Sequence, residues 1–220
     1  MSGPSVRVTF KVATSLDGRI ALADGTSQWI TGADARARSH RLRAAHDAVL
    51  VGIGTVLADD PLLTARTVPL PERQPLRIVA DSQGRTPMGG RLLSSVGVGP
   101  VAIATAGGRH PSLEAAGATV WSCGDGAGRV DPRALLDRAA VDGVRSMFLE
   151  GGGRLAAAFL RAGLVDEIAW FRAPILLGGD GLPAVGPLAL DRIDGAPRWR
   201  LAATERIGDD TLETYLRVTA

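Results

Sequence analysis

Four short runs of this chain are apolar almost without interruption: Ala48–Ile53, Leu76–Ala80, Val101–Ala104 and Ser146–Leu149. A strand with one wet face alternates apolar and polar residues. A run that does not alternate fits a strand buried on both faces, as in a parallel sheet covered by helices. Ala118–Trp121 is a weaker run of the same kind. Helix signals fall between and after these runs. Asp131-Pro132 pairs an N-cap acid with proline at the first helical position. Leu135, Leu136, Ala139 and Ala140 then supply an apolar stripe, and Gly143 stops it. A second helix is expected to leave Gly151-Gly152-Gly153 and run through Ala162, with Leu155 and Phe159 facing its core and Gly163 ending it. Thr31 or Asp34 is placed to cap a helix reaching about Ala45.

Two further segments complete the pattern. Asp166–Phe171 reads as a strand, and Trp199–Glu205 with Thr211–Val218 flank Gly208-Asp209 as a closing hairpin. The alternation predicts an α/β fold: a mainly parallel central sheet flanked by helices, with a C-terminal antiparallel hairpin. Pro69–Pro75 and Gly178–Pro187 are the loosest segments, but neither shows the composition break of a linker, so one domain over residues 1–220 is expected.

Composition narrows the function classes. With 45% hydrophobic and 22% charged residues, the chain reads as globular and soluble. No apolar run approaches the roughly 18 residues that a membrane span needs. Met1–Val6 has neither a basic n-region nor an apolar h-region, so a cytoplasmic protein is expected. Cys123 is the single cysteine; it excludes an intrachain disulfide and reads as a small buried hydrophobe. His40, His46 and His110 lack metal-ligand spacing, and Asp59-Asp60-Pro61 reads as turn chemistry, so no metal is expected. A net charge of +2, with the signs interspersed, is too weak for a nucleic-acid surface. Arg36, Arg38, Arg41 and Arg43 form either a solvated helix face or an anion-binding cluster.

Three places carry chemistry. The first is Lys11, the one lysine among 25 basic side chains. Its ammonium is a compact charge with a mobile proton, which guanidinium cannot imitate. Alternation in Val6–Ala13 puts Lys11 on the less apolar side of a strand, with Ser15-Leu16-Asp17-Gly18 as the turn that follows. The second is the strand end Leu149-Glu150-Gly151-Gly152-Gly153. Glycines admit a close backbone approach, and a helix N-terminus offers unpaired N–H groups with partial positive charge, so the turn suits a phosphate or pyrophosphate. Tight packing alone also accounts for such a turn. If the phosphate site is real, Glu150 must point away from it, towards hydroxyl groups of a second ligand. The third is Val51–Pro61, read as a strand end entering a turn, with Thr55 as a cap. Neither GxGxxG after the first strand nor a P-loop is present.

Lys11, Ser15-Leu16-Asp17-Gly18, Ser27-Gln28-Trp29-Ile30-Thr31, Thr55–Pro61 with Leu63-Thr64 and Arg66, Leu149–Gly152 and Leu164-Val165-Asp166-Glu167 occur in this order. Together they resemble the reductase domain of the bifunctional riboflavin-biosynthesis deaminase–reductase family, over about Arg7 to Arg217. The resemblance implies a dihydrofolate-reductase-like fold and NADPH-dependent reduction. The implied substrate is 5-amino-6-(5-phosphoribosylamino)uracil or its 2,5-diamino-pyrimidinone relative, whose ribosyl group becomes a ribityl chain. It implies that Ser27, Arg43, Leu63, Arg66 and Glu150 hold the substrate, the two arginines on its 5′-phosphate. It also implies NADPH contacts from Ala13, Trp29, Thr55, Asp59 and Ser82, and from Gly152, Gly153, Arg154, Leu155, Ala156, Ala157 and Ala158. Ser82 and Arg85 are candidates for the cofactor's 2′-phosphate. Lys11 and Glu150 are the expected catalytic residues, Lys11 as proton donor to the opened sugar. Only five residues precede the first strand, so a stand-alone reductase without the deaminase domain is expected. A homodimer is implied, for which Ile168–Phe171 and Ile175-Leu176-Leu177 are either interface or core. Two alternatives stay open: a reductase of the same fold acting on another small substrate, and a non-catalytic ligand-binding relative.

Overall fold

The continuous apolar runs become strands in a computed structural model that describes residues 6–218; nearly all of the N-terminal stretch read for a leader lies outside them. In chain order the elements are β1 (Arg7–Thr14), β2 (Arg19–Ala21), α1 (Ala33–Ala44), β3 (Ala48–Gly52), α2 (Ile53–Asp59), β4 (Leu76–Ala80), α3 (Arg91–Ser94), β5 (Val101–Thr105), α4 (Pro111–Ala115), β6 (Thr119–Ser122), α5 (Pro132–Val141), β7 (Ser146–Leu149), α6 (Gly153–Arg161), β8 (Glu167–Arg172), β9 (Leu182–Pro183), β10 (Trp199–Ile207) and β11 (Asp210–Arg217). The fold is α/β, with mainly parallel strands and an antiparallel pair at the C-terminus. Among the described residues, no helix is long and apolar enough to cross a membrane.

The described residues form two compact units. The first takes those up to Arg7 and His40–Gly151; the second takes Val8–Ser39 and the chain from Gly152 onward. In the first unit the strand order is β7-β3-β4-β5-β6, every pair parallel. Val49, Val51, Val79 and Ile103 of its strands pack with Val56, Leu92, Leu93 and Leu113 of α2, α3 and α4. Strand alternation sends Leu50, Ile78 and Ala102 to the opposite face, and they too are wholly buried. Burial on both faces is the reason these runs do not alternate. Each such Val, Leu or Ile contributes about 1.5–3 kcal/mol on leaving water. Asp131 caps α5 as expected, its carboxylate accepting from the N–H groups of Arg133 (2.6 Å) and Ala134 (3.2 Å).

In the second unit the order is β10-β11-β8-β1. β1 and β8 are parallel, with Lys11 opposite Ala169; β11 runs antiparallel to both β8 and β10. The hairpin turns at Gly208, whose φ of 63° is glycine's territory. Within their own chain, Ile168, Ala169 and Phe171 of β8 are buried. They are core, not interface; Ile175 and Leu176 are exposed.

Two local expectations are corrected. Residues 53–59 are not a turn but the short helix α2, and Gly52 occupies its N-cap, so Thr55 lies inside the helix. The burial of Val56 in the strand–helix core supplies the tertiary reason for that helix. Helix α1 begins at Ala33, so neither Thr31 nor Asp34 stands at its start; the Gly32 N–H there is held by the Asp210 carboxylate at 2.7 Å.

Candidate active site

Parallel strands gather ligand-binding groups beyond their carboxyl ends, where the connecting loops begin. In the first unit β3, β4 and β7 end at Gly52, Ala80 and Leu149. Glu150 follows β7, with its N–H bonded to the Leu50 carbonyl at 2.9 Å. Its carboxylate meets Arg43 of α1 in a fork: Nε to Oε1 at 2.5 Å and Nη2 to Oε2 at 2.9 Å. Arg43 Nη1 donates to the Thr64 carbonyl at 2.7 Å. The two side chains are only 12% and 7% exposed. The sequence gives no hint of this pairing across 107 residues. Three of the five donors of Arg43 are therefore committed inside the protein.

Arg66 is the other arginine expected on the substrate, and it is exposed. Partial burial lowers its pKa; the charges of Arg43 and Arg91 act in the same direction, and Glu150 opposes them. Arg91 opens α3, its N–H bonded to Asp60 Oδ1 at 2.8 Å, and no motif marks it in the sequence. Leu63 is 4% exposed and has a φ of 56°, so its side chain belongs to the core and its backbone faces the loop.

The cofactor candidates of this unit sit on the same strand ends. A Cβ at Gly151 would lie 2.9 Å from Thr55 Oγ1, which restricts that turn to glycine. Asp59 ends α2; its side chain is accessible, yet the protein around it raises its pKa. Asp81 is fully buried and accepts from the N–H and hydroxyl of Thr86 at 2.7 and 2.8 Å. This bond shapes the turn that carries Ser82 and Arg85. Ser82 Oγ accepts the Val130 N–H at 3.1 Å, and Arg85 is exposed. Cys123 is buried, and burial raises its thiol pKa. Among the described residues, no group of three or more potential metal ligands occurs.

In the second unit Lys11 and Ala13 are half-buried on one side of β1, with Lys11 Nζ 5.8 Å from the centre of the Phe171 ring. The Ser15–Gly18 turn clamps the strand's end. Ser15 Oγ donates to Asp17 Oδ1 at 2.6 Å, and Asp17 accepts the N–H groups of Leu177 (3.1 Å) and Gly178 (2.8 Å). These bonds, that of Ser15 foremost, hold the Asp17 carboxyl down to a pKa of about 2. Ser27 is half-buried, while Trp29 is 70% exposed with the Arg36 guanidinium 4.4 Å from its ring centre. Arg36 also donates to the Thr31 carbonyl at 2.6 Å, and Arg38 pairs with Glu205 at 3.3 Å. Arg36, Arg38 and Arg43 of α1 thus have separate partners, so the helix does not present a uniform solvated face.

Helix α6 begins after Gly152, whose φ of 79° and ψ of 106° exclude side chains, and no side chain caps it. Its first-turn N–H groups form a positive end. The backbone of residues 183–186 lies against Gly153, with the Gly186 N–H on the Gly153 carbonyl at 2.9 Å. Arg154 is exposed and Leu155 and Ala158 are half-buried, but Ala156 and Ala157 are 1% exposed and turn into the core.

Residues 6–212 match the family described as RibD C-terminal domain. The chain belongs to this family. It is 43% identical over 207 residues to the riboflavin biosynthesis protein RibD of Mycobacterium tuberculosis, covering 93% of this chain and 52% of that protein. The chain spans about half the length of most of the curated RibD relatives it matches. A second relative is matched almost end to end: the 2,5-diamino-6-ribosylamino-4(3H)-pyrimidinone 5′-phosphate reductase of Methanothermobacter thermautotrophicus, at 37% identity over 94% of this chain and 96% of that one. The solved structure of Acinetobacter baumannii RibD superposes with a TM-score of 0.86 at 28% identity, covering 98% of this chain and 58% of the other. Membership in the RibD C-terminal domain family accords with the ordered motifs from Lys11 to Glu167, which lie within the matched residues.

Proposed function

We propose that this chain is an NADPH-dependent reductase of riboflavin biosynthesis. It reduces the ribosyl group of 5-amino-6-(5-phosphoribosylamino)uracil, or of the 2,5-diamino-pyrimidinone analogue, to the ribityl form. The observation that carries this reading is the buried fork of Arg43 and Glu150 on a unit that also exposes Arg66. A sugar phosphate offers hydroxyl donors and a dianion. A carboxylate accepts from the hydroxyls, and a separate arginine takes the phosphate. Arg66, seconded by Arg91, faces the 5′-phosphate, while Arg43 keeps Glu150 aimed. Lys11 delivers the proton that the opened sugar needs as its carbon is reduced. The end-to-end match to a reductase of the diamino-pyrimidinone phosphate supports the same assignment.

Each unit by itself offers groups suited to part of a dinucleotide. Gly151 and Gly152 keep the turn free of side chains, and the first turn of α6 offers N–H groups to a pyrophosphate. Trp29 offers an exposed ring face; Thr55, Asp59, Ser82 and Arg85 supply polar groups. Ala156 and Ala157 act only by packing. NADPH, when bound, supplies the hydride. The same reading makes the protein a cytoplasmic homodimer, which sedimentation of the purified chain tests. The decisive assay follows the loss of NADPH absorbance with each of the two pyrimidine substrates. Turnover of either supports the proposal. Tight NADPH binding with turnover of neither replaces it with the ligand-binding alternative.

A further inference from the structure

Loop 60–66, between α2 and the approach to β4, is held by side chains at Leu62, Thr64, Ala65 and Arg66. The Leu62 carbonyl accepts from Arg77 Nη1 at 3.0 Å, and the Thr64 carbonyl from Arg43 at 2.7 Å. The Arg66 N–H goes to His40 Nδ1 at 3.3 Å, and Asp60 holds the Arg91 N–H. Ala65 is gripped twice by one side chain. Its N–H donates to Gln74 Oε1 at 2.7 Å, and its carbonyl accepts from Gln74 Nε2 at 3.0 Å. An amide that closes both polar groups of one residue fixes that residue much as a strand neighbour would.

Gln74 is itself confined. A Cβ on Gly99 would come within 2.8 Å of the Gln74 Cβ, so the glutamine stands against bare backbone there. Below it lies Arg77, a fully buried cation of β4. Besides Leu62, it donates to the Ser95 hydroxyl (2.7 Å), the Ser95 carbonyl (2.8 Å) and the Gly99 carbonyl. All these acceptors are neutral, and burying a charge among neutral groups is an expensive route to stability. The arrangement makes more sense as scaffolding. It ties the loop after α2 and the turn after α3 to one point on the sheet.

We propose that Gln74 is a positioning residue: by clamping Ala65 it holds Arg66 ready for the anionic group of the substrate, a phosphomonoester. The inference rests on the reading of Arg66 as a phosphate contact. A loop already ordered loses little freedom on binding, so the clamp acts on affinity and not on chemistry.

Gln74→Ala should raise the KM of the phosphorylated substrate roughly tenfold, leaving kcat and NADPH affinity near those of the wild type. The KM of the dephosphorylated substrate should not change. In an Arg66→Ala background the same substitution should do nothing further, because the residue it positions is gone. Hydrogen exchange at the Ala65 amide should quicken in Gln74→Ala. An equal KM rise with both substrates, a full additional effect in the Arg66→Ala background, or unaltered exchange at Ala65 would overturn the proposal. If the wild type reduces neither pyrimidine, the functional reading fails, and calorimetric titration with inorganic phosphate decides this one. Weaker phosphate binding in Gln74→Ala, seen only while Arg66 is present, supports the clamp; equal binding refutes it.

Discussion

Replacing Arg43 by methionine removes a cation from a place where its partner has little water to turn to. Arg43 and Glu150 are 12% and 7% exposed, joined by two charge-assisted hydrogen bonds, and a third bond ties Arg43 to Thr64. Arg43→Met strips Glu150 of its fork and leaves the Thr64 carbonyl without that donor. Breaking a buried pair from one side costs about 3–5 kcal/mol. For a chain of this length that is a Tm loss of roughly 6–20 °C. The sign changes when both partners go: Arg43→Met with Glu150→Leu removes the carboxylate as well, and most of the lost stability should return. Activity should not return, because the proposed acceptor for the sugar hydroxyls has gone too. Urea unfolding, followed by the fluorescence of the four tryptophans, measures the first quantity and NADPH oxidation the second. If Arg43→Met costs less than about 1 kcal/mol, the pair behaves as a surface ion pair and the reasoning fails. A double variant no more stable than the single one refutes it equally.

Three further outcomes are expected. Lys11→Arg should lower kcat by about 10²–10⁴-fold, the span of a lost general acid, with NADPH affinity retained; undiminished turnover would remove the proton-donor role. Asp17 titrates near 2 in the folded chain against an ordinary 3.8. Folding depresses this pKa, so the stabilisation is complete above the unfolded value and fades as pH falls towards the folded one. Asp17→Asn should therefore flatten acid unfolding between about pH 5 and 2, as read by circular dichroism, and superimposable curves would exclude the effect. Cys123, buried with a raised pKa, should resist thiol reagents in the native protein and react on adding urea; rapid labelling of the folded chain would contradict its burial.

The parallel strands were legible because their chemistry is local. Val49, Leu50 and Val51 are buried side by side, and such a run has few other uses. Asp131-Pro132 and Gly208 announced a helix start and a hairpin for similarly local reasons. Helix α2 was not legible. Gly52 and Gly54 flank and enter it, and glycine there argues for a turn. What overrides that preference is the burial of Val56 among residues far along the chain. The four-residue α3 and the two- to three-residue strands β2 and β9 are shorter than any periodicity can register.

For the site, residue types were legible and partnerships were not. Glu150 posed a problem from the outset, since a carboxylate beside a phosphate-binding turn repels its ligand. Turning it away was the only remedy visible in one dimension. The fold adds a second remedy: Arg43, 107 residues away, forks onto Glu150 and offsets its charge. Two arginines that look interchangeable in sequence therefore divide their work in the proposed reaction. Arg43 faces inward and offsets the charge of the acid, while Arg66, exposed on a held loop, is left to meet the phosphate of the substrate. That division requires unequal losses: removing Arg43 must cost both stability and turnover, and removing Arg66 must cost substrate affinity almost alone.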